Sequence, residues 1–203
     1  MSLFPMFVKL ARRGGLAGRD CLVVGAGKIS EGKVSGLLEA GAKVRVVAPS
    51  ATEEIAEWHH AKKIVWKKRK YEKKDLRGAF LVVAATNSEK VHKAIFRDAQ
   101  KAGVLCNIVD VPELCDFYYP SVVRRGDLQI AVSTAGASPM LAKRLRQKFE
   151  REFGSEYSEW LKELESQRKE IRARKISLEE KNRLLEQIAS AESFEKFVKE
   201  RRH

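Results

Sequence analysis

Two short stretches of this sequence have residue types and spacing suited to chemistry. The first is Cys21-Leu22-Val23-Val24-Gly25-Ala26-Gly27-Lys28-Ile29-Ser30. An apolar run enters a tight glycine turn, and a helical pattern leaves it with Val34, Leu37 and Leu38 on one side. In such a strand, turn and helix, Gly25 permits the turn and Gly27 lets the backbone come close to a pyrophosphate. The phosphates then meet N–H groups and the positive end of the helix dipole at Lys28 and Ile29. This context calls for a dinucleotide. The second stretch is Cys106-Asn107-Ile108-Val109-Asp110, which sets one carboxylate at the end of a strand. Asp110 is the acid–base candidate at that edge, and its structural alternative is an Asx turn before Pro112.

Further candidates belong to the same edge. Thr86-Asn87 ends the apolar run Phe80-Leu81-Val82-Val83-Ala84-Ala85 and suits a nucleotide. The ribose end departs from the usual pattern. An acid is expected there, about 20 residues after the glycines. The chain instead reads Val44-Arg45-Val46-Val47-Ala48-Pro49-Ser50, with no acid before Glu53. Pro49 and Ser50 are therefore the cofactor candidates at that end, and the acid rule does not choose between NAD and NADP. The third small position of the glycine motif is Ser30, small enough for close helix–strand packing.

The elements that must position these residues follow from periodicity. Strands are expected at 21–25, 44–48, 64–66, 80–85 and 104–109, and helices at 31–40, 52–60 and 89–101. Ser88 reads as an N-cap and Gly103 as a helix end. Strands alternating with helices imply an α/β fold, a doubly wound parallel Rossmann-type sheet. Residues 3–10 read as an extended lead-in packed on the first strand. Beyond Pro112 the rhythm changes to two strand-like runs, 117–123 and 128–134, joined as a hairpin by Arg124-Arg125-Gly126-Asp127. Ser138 with Pro139 starts a helix, and 140–202 is read as helical, with Ser177 and Glu180 resembling a capping box. The expected organisation is a nucleotide-binding domain at 1–112, a dimerisation region at 113–149 and a small all-helical domain at 150–203.

Composition bounds the rest. The chain has 203 residues, 44% hydrophobic and 33% charged, which suits one ordinary core plus an appendage. No apolar run approaches a membrane span, and no secretory signal is evident, so no membrane partner is expected. Cys21, Cys106 and Cys115 lack metal-type spacing and fit a reducing cytoplasm. The net charge of +13 favours anionic partners, either nucleic acid or a small polycarboxylate. The basic run Lys67-Lys68-Arg69-Lys70, continued by Lys73 and Lys74, reads as a solvated edge strand and turn, because no aromatic stacking platform is interleaved with it. None of His59, His60, His92 and His203 pairs with a Cys or carboxylate at ligand spacing, so no metal site is expected. Ser133, Thr134 and Ser138 lack a partnered base, which argues against a hydroxyl nucleophile.

Taken together, these motifs resemble the precorrin-2 dehydrogenase and sirohydrochlorin ferrochelatase family, the N-terminal module of siroheme synthase. The resemblance rests on Gly25-Ala26-Gly27, Lys33, Leu37 through Val44, Val46-Val47-Ala48-Pro49, Ala84 through Asn87, Cys106 through Asp110, Phe117 to Ser121, and Ser133 through Pro139. It runs in consistent order from about Leu3 to Phe149. It implies NAD-dependent oxidation of precorrin-2 to sirohydrochlorin and, in some members, insertion of ferrous iron to give siroheme. It also implies a homodimer built largely through the segment after Pro112. The family's essential aspartate falls on Asp110, and a serine that some relatives carry as a modification site falls on Thr134. Substrate contacts are then expected from Asn107, Ser133, Thr134 and Arg144. Where much of the family has Arg before the lysine of the first helix, this chain has Gly32 before Lys33. The substrate's eight carboxylates suit a basic cleft, for which Arg124, Arg125, Lys143, Arg144 and Arg146 are candidates. Two other readings remain: a chelatase alone, or a nucleotide-sensing regulator that binds DNA through basic helices. The tail shows no clear helix-turn-helix pair, so no nucleic acid is expected.

Overall fold

The computed structural model describes residues 5–11 and 18–201, which fall into two compact units divided between residues 118 and 119. The first is built on a five-stranded parallel sheet in the order β3-β2-β1-β4-β5. Its strands are β1 (Asp20–Val24), β2 (Lys43–Val47), β3 (Ile64–Lys67), β4 (Leu81–Ala84) and β5 (Leu105–Ile108). The central strands are near-continuous apolar runs because both faces are covered: every residue of β4 is buried, as are four of the five in β1. One face packs Val23, Val46 and Val83 with Val34 and Leu37 of α1 (Lys28–Glu39) and Ile55 of α2 (Glu53–His60). The other packs Leu22, Val82, Cys106 and Ile108 with Ile95 and Ala99 of α3 (Glu89–Ala102). Helices on both faces of a parallel sheet are the doubly wound arrangement expected of the sequence.

Local details both agree with and amend the expectations. Ser88 caps α3 by accepting the Val91 N–H at 3.4 Å, as expected. Helix α1 begins at Lys28 rather than at 31, because Gly27 is its N-cap. The lead-in packs less than expected. Leu10 is buried against the β1 face, while Met6 and Phe7 are 68% and 70% exposed; Leu3 lies outside the described residues. Two short 3-10 turns, Lys73–Leu76 and Pro112–Leu114, have no apolar periodicity and were not expected.

The basic run needs a correction. β3 is indeed the sheet edge. However, Lys67 and Arg69 are not merely solvated. Arg69 makes two hydrogen bonds to the fully buried carboxylate of Asp75, at 2.8 and 2.5 Å, and Lys67 Nζ lies 3.4 Å from it. Arg45 joins this cluster, donating to Asp20 at 2.8 Å and to the Asp75 carbonyl at 2.9 Å. A carboxylate this buried must be paired, and the local chain supplies the cations.

The second unit starts with an antiparallel hairpin, β6 (Ser121–Arg125) and β7 (Leu128–Val132), in which Arg125 pairs with Leu128 around the turn at Gly126 and Asp127. Four helices follow: α4 (Pro139–Glu152), α5 (Glu156–Ala173), α6 (Leu178–Ile188) and α7 (Ala191–Glu200). Ser138 accepts the Leu141 N–H at 3.2 Å and Pro139 opens α4. Arg125 is not a free cation for a ligand, since it donates to the Glu150 and Phe153 carbonyls at 2.8 and 2.7 Å and so closes the end of α4. Arg146 pairs with Glu150 on the same helix. Tyr157, Trp160 and Phe194 stack to hold α7 on α5, with the Tyr157 and Phe194 rings 4.4 Å apart. Ser177 accepts the Glu180 N–H at 3.1 Å, which is half of the expected capping box, while the Glu180 carboxylate pairs with Arg183 at 2.7 Å. The hairpin and all four helices lie within the second compact unit.

Candidate active site

The carboxyl edge of the parallel sheet gathers the loops that leave β1, β2, β4 and β5. They are joined to one another by backbone bonds. Gly25 N–H donates to Val47 O at 3.0 Å, Ala85 N–H to Val24 O at 2.8 Å and Val109 N–H to Ala84 O at 2.9 Å. The start of α2 is tied in as well, because Thr52 N–H donates to Ala26 O at 3.0 Å. Gly25 has φ +104°, and a Cβ there would lie 2.2 Å from the Ala85 carbonyl oxygen. Only glycine allows β1 to turn away this close to the exit of β4.

Gly27 serves differently. Its backbone is extended, so any residue could adopt it, and no side chain caps the helix it begins. Its carbonyl accepts the Ser30 and Glu31 N–H groups, leaving Lys28 and Ile29 as the first helical N–H groups outside the helix's own ladder. A Cβ added at Gly27 would meet nothing within 4 Å. Space therefore stands open directly over a helix N-terminus, with Lys28 and Ile29 exposed at its rim. Ser30, the third small position, is fully buried beneath the helix, as close packing requires. Glu31 is buried and paired with Lys28. Lys28 and a hydrogen bond to its ammonium hold the Glu31 carboxyl below the usual range. These features fit the pyrophosphate of a dinucleotide.

At the exit of β2, Pro49 and Ser50 are exposed, and the turn is fixed by the Trp66 indole N–H donating to Ala48 O at 3.0 Å. At the opposite end stand Thr86, Asn87 and Asp110. Thr86 is half-buried and accepts the Ser88 N–H at 3.4 Å, while Asn87 is exposed. Asp110 is exposed and has φ +62°, a left-handed conformation that Asp tolerates better than most residues. Its carboxylate lies within electrostatic reach of Lys33 on α1. The sequence singled out Lys33 only as a motif position. Nothing in the local pattern joins residues 33 and 110.

Asn107 is buried, and its amide nitrogen donates to the Phe117 carbonyl at 2.8 Å. It thereby pins the segment after the 3-10 turn to β5, and a ligand contact would have to come from its oxygen. Ser133, Thr134 and Arg144 belong to the other unit. There Ser133 accepts the Ala135 N–H at 3.1 Å, Thr134 accepts the Ser138 N–H at 3.0 Å, and Arg144 is exposed on α4. The thiols are unsuited to nucleophilic work. Burial pushes Cys21 and Cys106 each up to about 12 and raises Cys115 as well. Among the described residues, no group of three or more His, Cys, Asp and Glu could hold a metal ion, and no helix is long and apolar enough to cross a membrane.

Comparison with known proteins bears directly on this edge. A family model described as putative NAD(P)-binding matches residues 15–121, and one described as the central part of a sirohaem biosynthesis protein matches residues 125–152. A siroheme synthase of Nitrosococcus oceani is 37% identical over 150 residues, covering 74% of this chain and 31% of its own length. A siroheme synthase of Vesicomyosocius okutanii is 32% identical over 190 residues, covering 94% of this chain and 40% of its own. The chain thus spans well under half the length of these curated relatives. A solved structure described as SirC, precorrin-2 dehydrogenase, superposes with a TM-score of 0.77 at 29% identity, covering 98% of both chains.

Proposed function

We propose that this chain, which belongs to the family described as putative NAD(P)-binding, oxidises precorrin-2 to sirohydrochlorin with NAD. One observation carries the reading: an open cradle over the α1 N-terminus shares a sheet edge with an exposed carboxylate held in left-handed backbone. When bound, NAD supplies the hydride acceptor, and the reaction yields sirohydrochlorin, NADH and a proton. The N–H groups beyond Gly27 hold the pyrophosphate and fix the dinucleotide along the edge. Ser50 faces the ribose end, and Thr86 and Asn87 border the nicotinamide end. Asp110 takes the proton that leaves the macrocycle as the hydride departs. Its exposure suits this role, because the acceptor must meet a bulky substrate from solvent.

The test is anaerobic incubation of the protein with precorrin-2 and NAD, followed by absorption spectra. Sirohydrochlorin should appear together with NADH. Asp110→Asn should slow turnover about 100- to 10,000-fold while NADH affinity holds. Wild-type turnover in that variant would return Asp110 to a turn role, and absence of product with the wild type would overturn the assignment. Adding ferrous iron afterwards reads whether insertion to siroheme occurs as well. The same reading takes the protein to be a cytoplasmic homodimer joined through residues 112–139, where each strand of the hairpin has one unpaired edge. A monomer by light scattering at micromolar concentration would remove the dimer.

A further inference from the structure

We propose that the exposed face of α4 is a tetrapyrrole-binding surface of the second unit: Arg144, Lys148 and Arg151 receive carboxylates, and Met140 and Leu141 meet the ring. This rests on the precorrin-2 reading given above. Helix α4 packs on both strands of the hairpin with Ala142 buried and Leu145 and Phe149 half-buried. At about 100° per residue, the five named residues fall on the other side in one stripe about 100° wide. All five are exposed, Met140 by 62% and Leu141 by 49%. They belong to one helix, so the patch is complete within the second unit. The cations that the sequence offered for a basic cleft divide here. Arg125 is bound to the end of α4 and Arg146 to Glu150. Among the described residues, the side chains of Arg144, Lys148 and Arg151 make no hydrogen bond or ion pair. Glu152 borders the stripe only at its far end.

The chemistry follows from this placement. Like charges three and four residues apart repel one another along a helix, so this row stabilises nothing in the fold. An anion laid along it removes the repulsion and meets three cations at once. The row is about 10 Å long and the whole stripe about 16 Å, at about 1.5 Å per residue, which suits a compact polycarboxylate. The apolar end of the stripe decides the class of ligand. A phosphodiester backbone has no use for exposed methionine and leucine, and single-stranded bases stack on aromatic rings, which the stripe lacks. Precorrin-2 presents a ring face and eight carboxylates together, and the stripe matches both.

The combined variant Arg144→Gln, Lys148→Gln, Arg151→Gln tests this, with uroporphyrin as an octacarboxylate probe. The control combines Lys162→Gln, Lys169→Gln and Arg183→Gln, which remove the same charge from ion pairs on α5 and α6. In a fluorescence titration the α4 variant should bind uroporphyrin about tenfold more weakly, the loss expected for three exposed charge contacts, and high salt should shrink the difference. The control should bind as the wild type does. Met140→Ser with Leu141→Ser should also weaken binding, by a loss that persists in salt. For precorrin-2 the α4 charge variant should change KM more than kcat and leave NADH affinity unchanged. Wild-type uroporphyrin affinity in that variant, or an equal loss in the control, overturns the proposal. A changed oligomeric state by light scattering overturns it too, since that marks the face as a subunit contact. Duplex DNA that binds the wild type and is lost with the α4 charges, while uroporphyrin is kept, would make the partner a nucleic acid and overturn it as well. A wild type that binds NADH but no uroporphyrin would instead overturn the precorrin-2 reading itself.

Discussion

Gly27→Asp separates folding from cofactor binding, because the two respond to it in opposite senses. The Gly27 backbone, φ −88° and ψ −173°, is open to any L-residue, and a Cβ there meets nothing within 4 Å. Aspartate at this N-cap is at least as good as glycine, by a few tenths of a kcal/mol, and its charge faces the favourable end of the helix dipole. Tm should therefore hold or rise slightly. The same carboxylate would stand where the pyrophosphate binds. A unit charge about 5 Å away repels it by about 0.8 kcal/mol at the dielectric of water and about 3 kcal/mol at an effective value near 20. Two phosphate charges at the weaker limit, plus one charged hydrogen bond lost to the new side chain at about 1.5 kcal/mol, give about 3 kcal/mol. That is a loss of about a hundredfold in NADH affinity, and more if the site is dry. NADH fluorescence titration beside a thermal melt reads both quantities. Gly27→Ala, with the methyl but not the charge, should fall between the two proteins. A folded Gly27→Asp that binds NADH within about threefold of wild type would refute the placement of the pyrophosphate over this turn.

Two further predictions concern the scaffold. Gly25→Ala should destabilise the protein by about 2–4 kcal/mol in urea, since alanine pays for the left-handed backbone and must displace the Ala85 carbonyl; a loss under about 0.5 kcal/mol would contradict that account. Burial pushes the Asp75 carboxyl up, but the Arg69 hydrogen bonds, the Glu72 N–H and the charges of Arg69 and Lys67 outweigh burial and hold it below its ordinary value. The folded group binds its proton more weakly than the unfolded one. Its contribution is therefore complete above the ordinary aspartate range and is lost as pH falls through and below it. Asp75→Asn should cost about 3 kcal/mol at neutral pH, the low end for a broken buried pair because Arg69 keeps some water contact, and the gap to wild type should narrow in acid. A gap that stays constant with pH would show that Asp75 is not charged in the folded state.

Much of this fold could be read from local pattern, for physical reasons that act locally. Parallel strands buried on both faces must be apolar throughout, so Phe80 through Ala85 announces β4 by composition alone. A helix that leaves a glycine turn at a phosphate needs no side chain in the way, so Gly25-Ala26-Gly27 identifies the cradle. Ser88, Ser138 with Pro139, and Ser177 satisfy helix-end N–H groups within three residues, and each was visible for that reason. Asp110 was legible too, as the carboxylate after the last parallel strand.

Tertiary structure decided what depends on partners distant in sequence. Sequence distance hides that Arg45 reaches the Asp75 carbonyl, and only the burial of Asp75 reveals that Lys67 and Arg69, a few residues before it, neutralise an acid rather than form solvated surface. It hides that Arg125 spends its guanidinium on the end of α4, and that Asn107 ties down the Phe117 carbonyl. It also hides Lys33. A lysine inside a helical pattern is ordinarily solvated, whereas Lys33 is half-buried and within electrostatic reach of Asp110. Strand, turn and cap follow from short-range sterics and hydrogen bonding. Charge pairing across the sheet follows only from how the strands are ordered.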